Sequence, residues 1–214
     1  MSVEKTILLS TSYLGQISYF AILVQQNSVL IEKFENYQKQ SFRNRCEIYS
    51  ANGELSLTIP VQKPHFQRVL TSEIKIDYAT LWQKIHWKAI ESAYRNAPFF
   101  EFYVDDLLPF FRKKYTFLLD LNFDLQNLIL EKWLEVDARN ISFTSFFESK
   151  KTEDIDFRDI FHPKKPLSLT FEPYKQVFGE KFGFISNLSI LDLIFHLGPE
   201  SLEYLSQKKI CQII

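Results

Sequence analysis

The opening residues constrain this chain more than any other stretch. Thr6 to Leu9 is a β-type run that leads into a polar loop, Ser10-Thr11-Ser12-Tyr13-Leu14-Gly15. From Gln16 the apolar period changes: Ile17, Phe20, Ala21 and Val24 recur at i, i+3, i+4 and i+7, which is one face of a helix. Ser28-Val29-Leu30-Ile31 then returns to a short run suited to a buried strand. Strand, helix, strand in so short a span predicts a βαβ unit with a right-handed crossover and two parallel strands. In open sheets of that kind ligands collect beyond the carboxyl ends of the strands, which points to Ser10–Gly15. The helix behind the loop would aim free amides at a phosphate or carboxylate there; an ordinary capped βα turn is the plain alternative.

The second local signal is a hairpin spanning residues 45–60. Asn52-Gly53 is the dipeptide that accepts positive φ at both centres of a type I′ turn. Pairing outward from it sets Ser50 opposite Leu55, Ile48 opposite Leu57 and Cys46 opposite Ile59, all on one apolar face. Arg45, Glu47, Tyr49, Ser56 and Thr58 fall on the other face, and Pro60 ends the second strand. Cys46 then reads as a small buried hydrophobe.

Further along, Glu73–Asp77 suggests a short strand, and Leu81, Trp82, Ile85, Ala89 and Ala93 form a helical stripe that Asn96-Ala97-Pro98 ends. Helices are expected at Phe99–Phe111 and Leu118–Leu134, strands at Asn140–Phe147 and Leu167–Phe171, and a last helix from Asn187 to the stop signal Gly198-Pro199. Residues 149–166 crowd acidic and basic side chains into what reads as an exposed charged loop. The fold class expected is α/β: one domain over residues 1–214, a mixed sheet, the N-terminal βαβ unit, the hairpin and several flanking helices.

Composition narrows the function classes. The chain has 214 residues, 46% apolar and 24% charged, the make-up of a soluble globular domain, for which a cytoplasmic location is the expectation. A net charge of −1 gives no bulk attraction to DNA or to an anionic membrane, so no nucleic-acid partner is expected. No apolar run approaches the roughly 20 residues of a membrane span, and MSVEKTILLS has too short an apolar core for a secretory signal. Two cysteines, Cys46 and Cys211, allow at most one bridge. With only 5 glycines there is neither a GxGxxG nor a GxxxxGK[ST] loop, while 21 Phe, 10 Tyr and 3 Trp supply a large core or a ring-lined cleft.

Three places concentrate candidate chemistry. The first is the loop after the opening strand, with Ser10 and Tyr13, and with Tyr19 on the following helix. The second runs from Glu35 to Arg45. Arg43 and Arg45, two apart on an extended chain, project from one side and can grip an anion with two guanidinium forks. A solvated face with Arg45 beside Glu47 is the other reading. The third is Trp82 and His86 on the long helix, where His86 is either a proton-transfer group or a packed histidine with its hydrogen bonds satisfied. His65, His162 and His196 show no metal-ligand spacing, so no metal is expected.

Several blocks together resemble the WbqC-like protein family. They are Ser10–Phe20, Asn36-Tyr37-Gln38-Lys39 followed by Asn44-Arg45, Leu57–Val61 with Lys63, Trp82–His86, Tyr94–Phe100 and Asn187–Leu193, in the family's order. The chain departs from that pattern in carrying Ser10-Thr11 where a glutamine and proline are common. It also has Lys33-Phe34 where paired aspartates are common, with Glu32 and Glu35 on either side.

The resemblance implies a bacterial transferase of surface-polysaccharide and O-antigen biosynthesis that moves glycine or another amino-acyl group, or forms an amide, on an amino sugar. On that basis the expected substrate is an activated amino acid or a nucleotide sugar, with no cofactor specified. His86, Arg45 and Lys39 would be the catalytic groups. Ser10, Tyr13, Tyr19, Tyr37, Arg43, Asn44, Lys63 and Trp82 would line an anion-binding site. A non-catalytic module binding a nucleotide sugar or glycan precursor, or an assembly partner, remains the alternative.

Overall fold

The computed structural model describes residues 5–62, 68–147, 155–164, 167 and 169–207. In chain order the elements begin with β1 (Ile7–Ser10), α1 (Ile17–Gln25), β2 (Val29–Glu32), β3 (Arg45–Ser50) and β4 (Gly53–Thr58). Next come α2 (Trp82–Tyr94), α3 (Phe100–Leu107), α4 (Leu118–Asn127), β5 (Ile141–Phe143) and β6 (Ile155–Asp156). Three helices close the chain: α5 (Gly179–Phe182), α6 (Ile190–Leu197) and α7 (Ser201–Leu205).

Together these elements make a single α/β domain, with parallel and antiparallel pairing in separate sheets. The main sheet is parallel throughout, in the order β5-β2-β1-β6, and the hairpin β3-β4 stands apart. The expected βαβ unit is β1-α1-β2, with Ile7 beside Val29 and Ser10 beside Glu32. Ile7, Leu8 and Leu9 are all buried, because a central parallel strand is covered on both faces. The aromatic side chains fill the core in chains of touching rings, such as Tyr94–Phe195–Phe100.

The hairpin forms where expected but two residues out of the predicted register. Ser50 pairs with Gly53, Ile48 with Leu55 and Cys46 with Leu57. A type I′ turn needs positive φ at both centres, and of the turn residues only Gly53 adopts it, at 95°. The turn is instead Ala51-Asn52, held by Ser50, whose Oγ donates to the Gly53 carbonyl and accepts from the Asn52 amide. A shift of two keeps every side chain on its face, so Cys46 is still buried, and burial lifts its thiol pKa above the usual range.

Other differences have tertiary causes. On α2 the buried stripe is Trp82, His86, Ile90, Ala93 and Tyr94, while Leu81 and Ile85 are 72% and 59% exposed. The helix is turned so that His86 meets Tyr13. Thr71–Ile76 forms a short turn with isolated bridges to Val61 and Phe117 in place of a strand. No strand occurs among the described residues of 167–171. Within the stretch expected as a charged loop, residues 149–154, 165 and 166 lie outside the described residues, but Ile155–Asp156 is β6 beside β1, and Phe157, Arg158 and Phe161 are buried.

The α6 stop signal is built as the sequence suggests. Gly198 takes φ 53°, and a Cβ there would lie 2.5 Å from the Phe99 ring. Gly198→Ala is therefore expected to cost about 2 kcal/mol or more in urea unfolding. A variant as stable as the parent would contradict this packing.

Candidate functional site

Strand order reverses between β1 and β6, and ligands of open parallel sheets bind at such a reversal, beyond the carboxyl ends. Ser10 ends β1 there, and Arg43, from the segment before the hairpin, reaches it. The Arg43 guanidinium forks onto Glu35, with Nε to Oε1 at 2.7 Å and Nη2 to Oε2 at 2.7 Å. Nη2 also donates to Ser10 Oγ at 2.6 Å, and that oxygen lies 2.8 Å from the Arg158 carbonyl. Arg43 is 2% exposed and Glu35 is buried as well. Burial raises the Glu35 carboxyl pKa, opposed by hydrogen bonding and charge from Arg43 and by the Ser10 hydroxyl.

A second arginine lies beside the first. The Arg158 guanidinium binds Asp156 through Nε at 2.9 Å and Nη2 at 2.6 Å, and its Nη1 is 3.4 Å from Glu32 Oε2. Glu32 also accepts from the Phe34 amide and the Thr144 hydroxyl, each at 2.8 Å. The space left among Ser10, Thr11, Tyr19, Arg43 and Arg158 is about 10 Å³, enough for roughly one water. Both guanidinium groups are therefore occupied by the protein's own carboxylates.

The amino end of α1 is filled in the same way. Its Ile17 amide donates to the Leu188 carbonyl at 3.0 Å and its Ser18 amide to Asn187 Oδ1 at 2.9 Å. The segment before α6 thus takes the place expected for a phosphate. The loop is packed too: Tyr13 is buried, and its amide donates to the Phe42 carbonyl.

The remaining expected site residues fall into several environments. His86 is buried, with Nδ1 3.0 Å from the Tyr13 hydroxyl and the Trp82 ring edge-on at 5.1 Å. Burial lowers its pKa to about 4, opposed by a hydrogen bond with the Thr58 backbone. A neutral imidazole engaged on both sides is a bridge between the opening loop, α2 and β4. Trp82 is buried, and the Tyr19 hydroxyl donates to the Ser10 carbonyl at 3.1 Å. Asn44 is buried, with Nδ2 donating to the Ile59 carbonyl at 2.7 Å. Tyr37 is half-buried, its pKa raised to about 12 by burial against the pull of Arg43 and Arg45, and Lys39 is exposed. Lys63 lies outside the described residues. Arg45 is half-buried on β3 opposite Thr58, and its buried Nε has no hydrogen-bond partner among the described residues.

One open space adjoins this region, a cavity of about 180 Å³ whose walls include Gln16, Phe42, Glu47, Glu54, His162 and Asn187. Glu47 pairs with Ser56, and Glu54 lies two residues from Ser56, so both carboxylates stand on one face of the hairpin. Burial, reinforced by the Glu54 charge and opposed by Arg45, raises the Glu47 pKa to about 7. Hairpin parity alone gives Glu47 a solvated face; the wall beside it comes from His162, Pro163, Leu167 and Ser186 to Leu188, far along the chain. Among the described residues, no three His, Cys, Asp or Glu side chains are placed to share a metal ion.

Comparison with known proteins bears on this arrangement. The sequence model of the WbqC-like protein family matches residues 11–162. The chain belongs to the WbqC-like protein family. The matched span holds Arg43, Arg45, Glu47, His86 and Arg158, while Pro163, Leu167 and Ser186 to Leu188 of the cavity wall lie beyond it. The chain is also 27% identical to the uncharacterized protein Rv1507c of Mycobacterium tuberculosis, over 95% of this chain and 98% of that protein. No solved structure matches. No helix among the described residues is long and apolar enough to cross a membrane.

The charge cluster makes a direct prediction. Arg43→Met leaves Glu35 buried without its partner and is expected to cost about 3–5 kcal/mol, whereas Arg43→Met with Glu35→Leu recovers most of that loss. Denaturant titration of the parent, both single variants and the double variant measures it. Additive losses would show that the two groups do not act as a pair.

Proposed function

We propose that the chain is a transferase that forms an amide between an activated amino-acyl group, such as glycyl, and the amine of an amino sugar in surface-polysaccharide assembly. The observation that supports this reading is Glu47, a carboxyl group with its pKa raised to about 7 in the wall of the 180 Å³ cavity. An amine acceptor arrives as an ammonium, which the Glu47–Glu54 pair attracts, and it must lose a proton before it can attack. A base poised near 7 suits that transfer.

In the proposed step the ammonium gives one proton to Glu47, and the free amine attacks the acyl carbon of an acyl phosphate. A C–N bond forms, the C–O bond to phosphate breaks, and the phosphate leaves with the bonding pair and the nitrogen's second proton. In this reading Arg45, whose charge acts on Glu47 from the same hairpin face, and the exposed Lys39 offset the charge of the leaving group. Arg43 holds the wall in this reading, and His86 fixes the opening loop. Donors of this class are made in the cytoplasm, where the reading places the chain.

The test is product formation by the purified full chain from glycyl phosphate and a nucleotide-linked glucosamine, followed by mass spectrometry. The rate is expected to rise with pH through about 7, because only the deprotonated Glu47 accepts a proton. Glu47→Gln should lose about a hundredfold or more in kcat/KM, and Arg45→Ala should lose activity with little change in melting temperature. Undiminished turnover by Glu47→Gln would falsify the assignment.

A further inference from the structure

A larger cavity, about 710 Å³, is lined from three parts of the chain: Asn96 and Pro98, the stretch from Tyr174 to Phe184, and His196 with Leu197. That volume is typical of sites for small organic molecules. Its wall is built over a buried carboxyl group, Asp192 on α6. Asp192 Oδ2 accepts from the Tyr174 hydroxyl at 2.6 Å and from Gln176 Nε2 at 2.7 Å. Gln176 also exchanges two hydrogen bonds with the backbone of Ile185, each 2.9 Å. His196 Nε2 accepts from the Val177 amide at 2.9 Å, so the ring proton sits on Nδ1, 2.6 Å from the Asp192 carbonyl.

The polar tips of Tyr174, Gln176 and His196 are therefore occupied within the wall. What remains for a ligand is carbon and ring surface, chiefly Tyr174 and Phe184, whose rings meet edge to face at 5.2 Å. Such a wall accepts a flat ring with little loss of polar solvation. The exposed polar groups of the lining are of different kinds: the Asn96 amide, the Lys175 ammonium and the Glu180 carboxylate. An amide can read a ring edge, an ammonium can meet phosphate, and a carboxylate can accept from sugar hydroxyls.

We propose that this cavity is a nucleoside-phosphate site, with the base against the rings of Tyr174 and Phe184, its edge toward Asn96 and the phosphate toward Lys175. The site stands whether or not Glu47 acts as a base, and the experiment separates the two. Gly179 supplies the means: it lines the cavity, and a Cβ there would meet nothing nearer than Gln176 Cβ at 3.9 Å. Gly179→Trp should fill the space while the fold is kept.

The test is calorimetric titration of the full chain with uridine diphosphate and adenosine diphosphate. At least one is expected to bind saturably with a Kd below about 1 mM. Gly179→Trp should weaken that binding tenfold or more with circular dichroism and melting unchanged, and Phe184→Ala should weaken it too. Glu47→Gln should bind as the parent does, whatever its turnover. Absence of saturable binding by either nucleotide, or binding indifferent to Gly179→Trp, overturns the proposal.

Discussion

The forked pair between Arg43 and Glu35 is the contact on which this molecule turns. It joins the segment ahead of the hairpin to the end of β1 through Ser10, and through the Arg158 backbone to the residues after β6. Removing both charges from water is costly, and the geometry offsets that cost only because each oxygen of Glu35 has a donor at short range. Arg158 with Asp156 and Glu32 repeats the same solution one strand away. The charged side chains at the carboxyl edge of β1 are thus engaged with one another, and the open space lies at the acidic face of the hairpin.

That arrangement explains the division of labour proposed for the site. Where the family resemblance suggests an anion seat, internal carboxylates and the 187–188 segment already satisfy the donors. The acidic groups in the wall of the 180 Å³ cavity are Glu47 and Glu54, and carboxylates suit an incoming amine better than an incoming phosphate. The ring-walled cavity shares no lining residue with theirs, and its Lys175 and Glu180 carry no net charge between them.

Much of the fold was legible because its signals are local. The β1-α1-β2 unit announces itself by a change of apolar period from strand to helix and back, and the α6 stop by Gly198-Pro199. The hairpin was visible in position but not in register, because the Ser50 side chain selects the turn and sequence patterning sees only parity. β6 was hidden: Asp156 and Arg158 look solvated in a charged run, and only the fold shows that they neutralise each other beside Glu32. The site was legible to the same degree. Arg43 and Ser10 meet at the carboxyl end of β1, but Glu35 and Arg43 are joined by an irregular loop, where no helical or strand pattern foretells their pairing. Glu47 gave no signal at all, since its raised pKa comes from residues more than a hundred positions away as well as from its hairpin neighbours.

The proposed chemistry depends on Glu47, a carboxyl group whose surroundings raise its pKa to about 7. Carbon-13 NMR titration of the Glu47 side-chain carboxyl, assigned by its loss in Glu47→Gln, measures this directly. A midpoint near 7, falling toward the ordinary glutamate range when Glu54 is replaced by Gln, is the result the account predicts. A midpoint near 4.5 in the parent chain would contradict it.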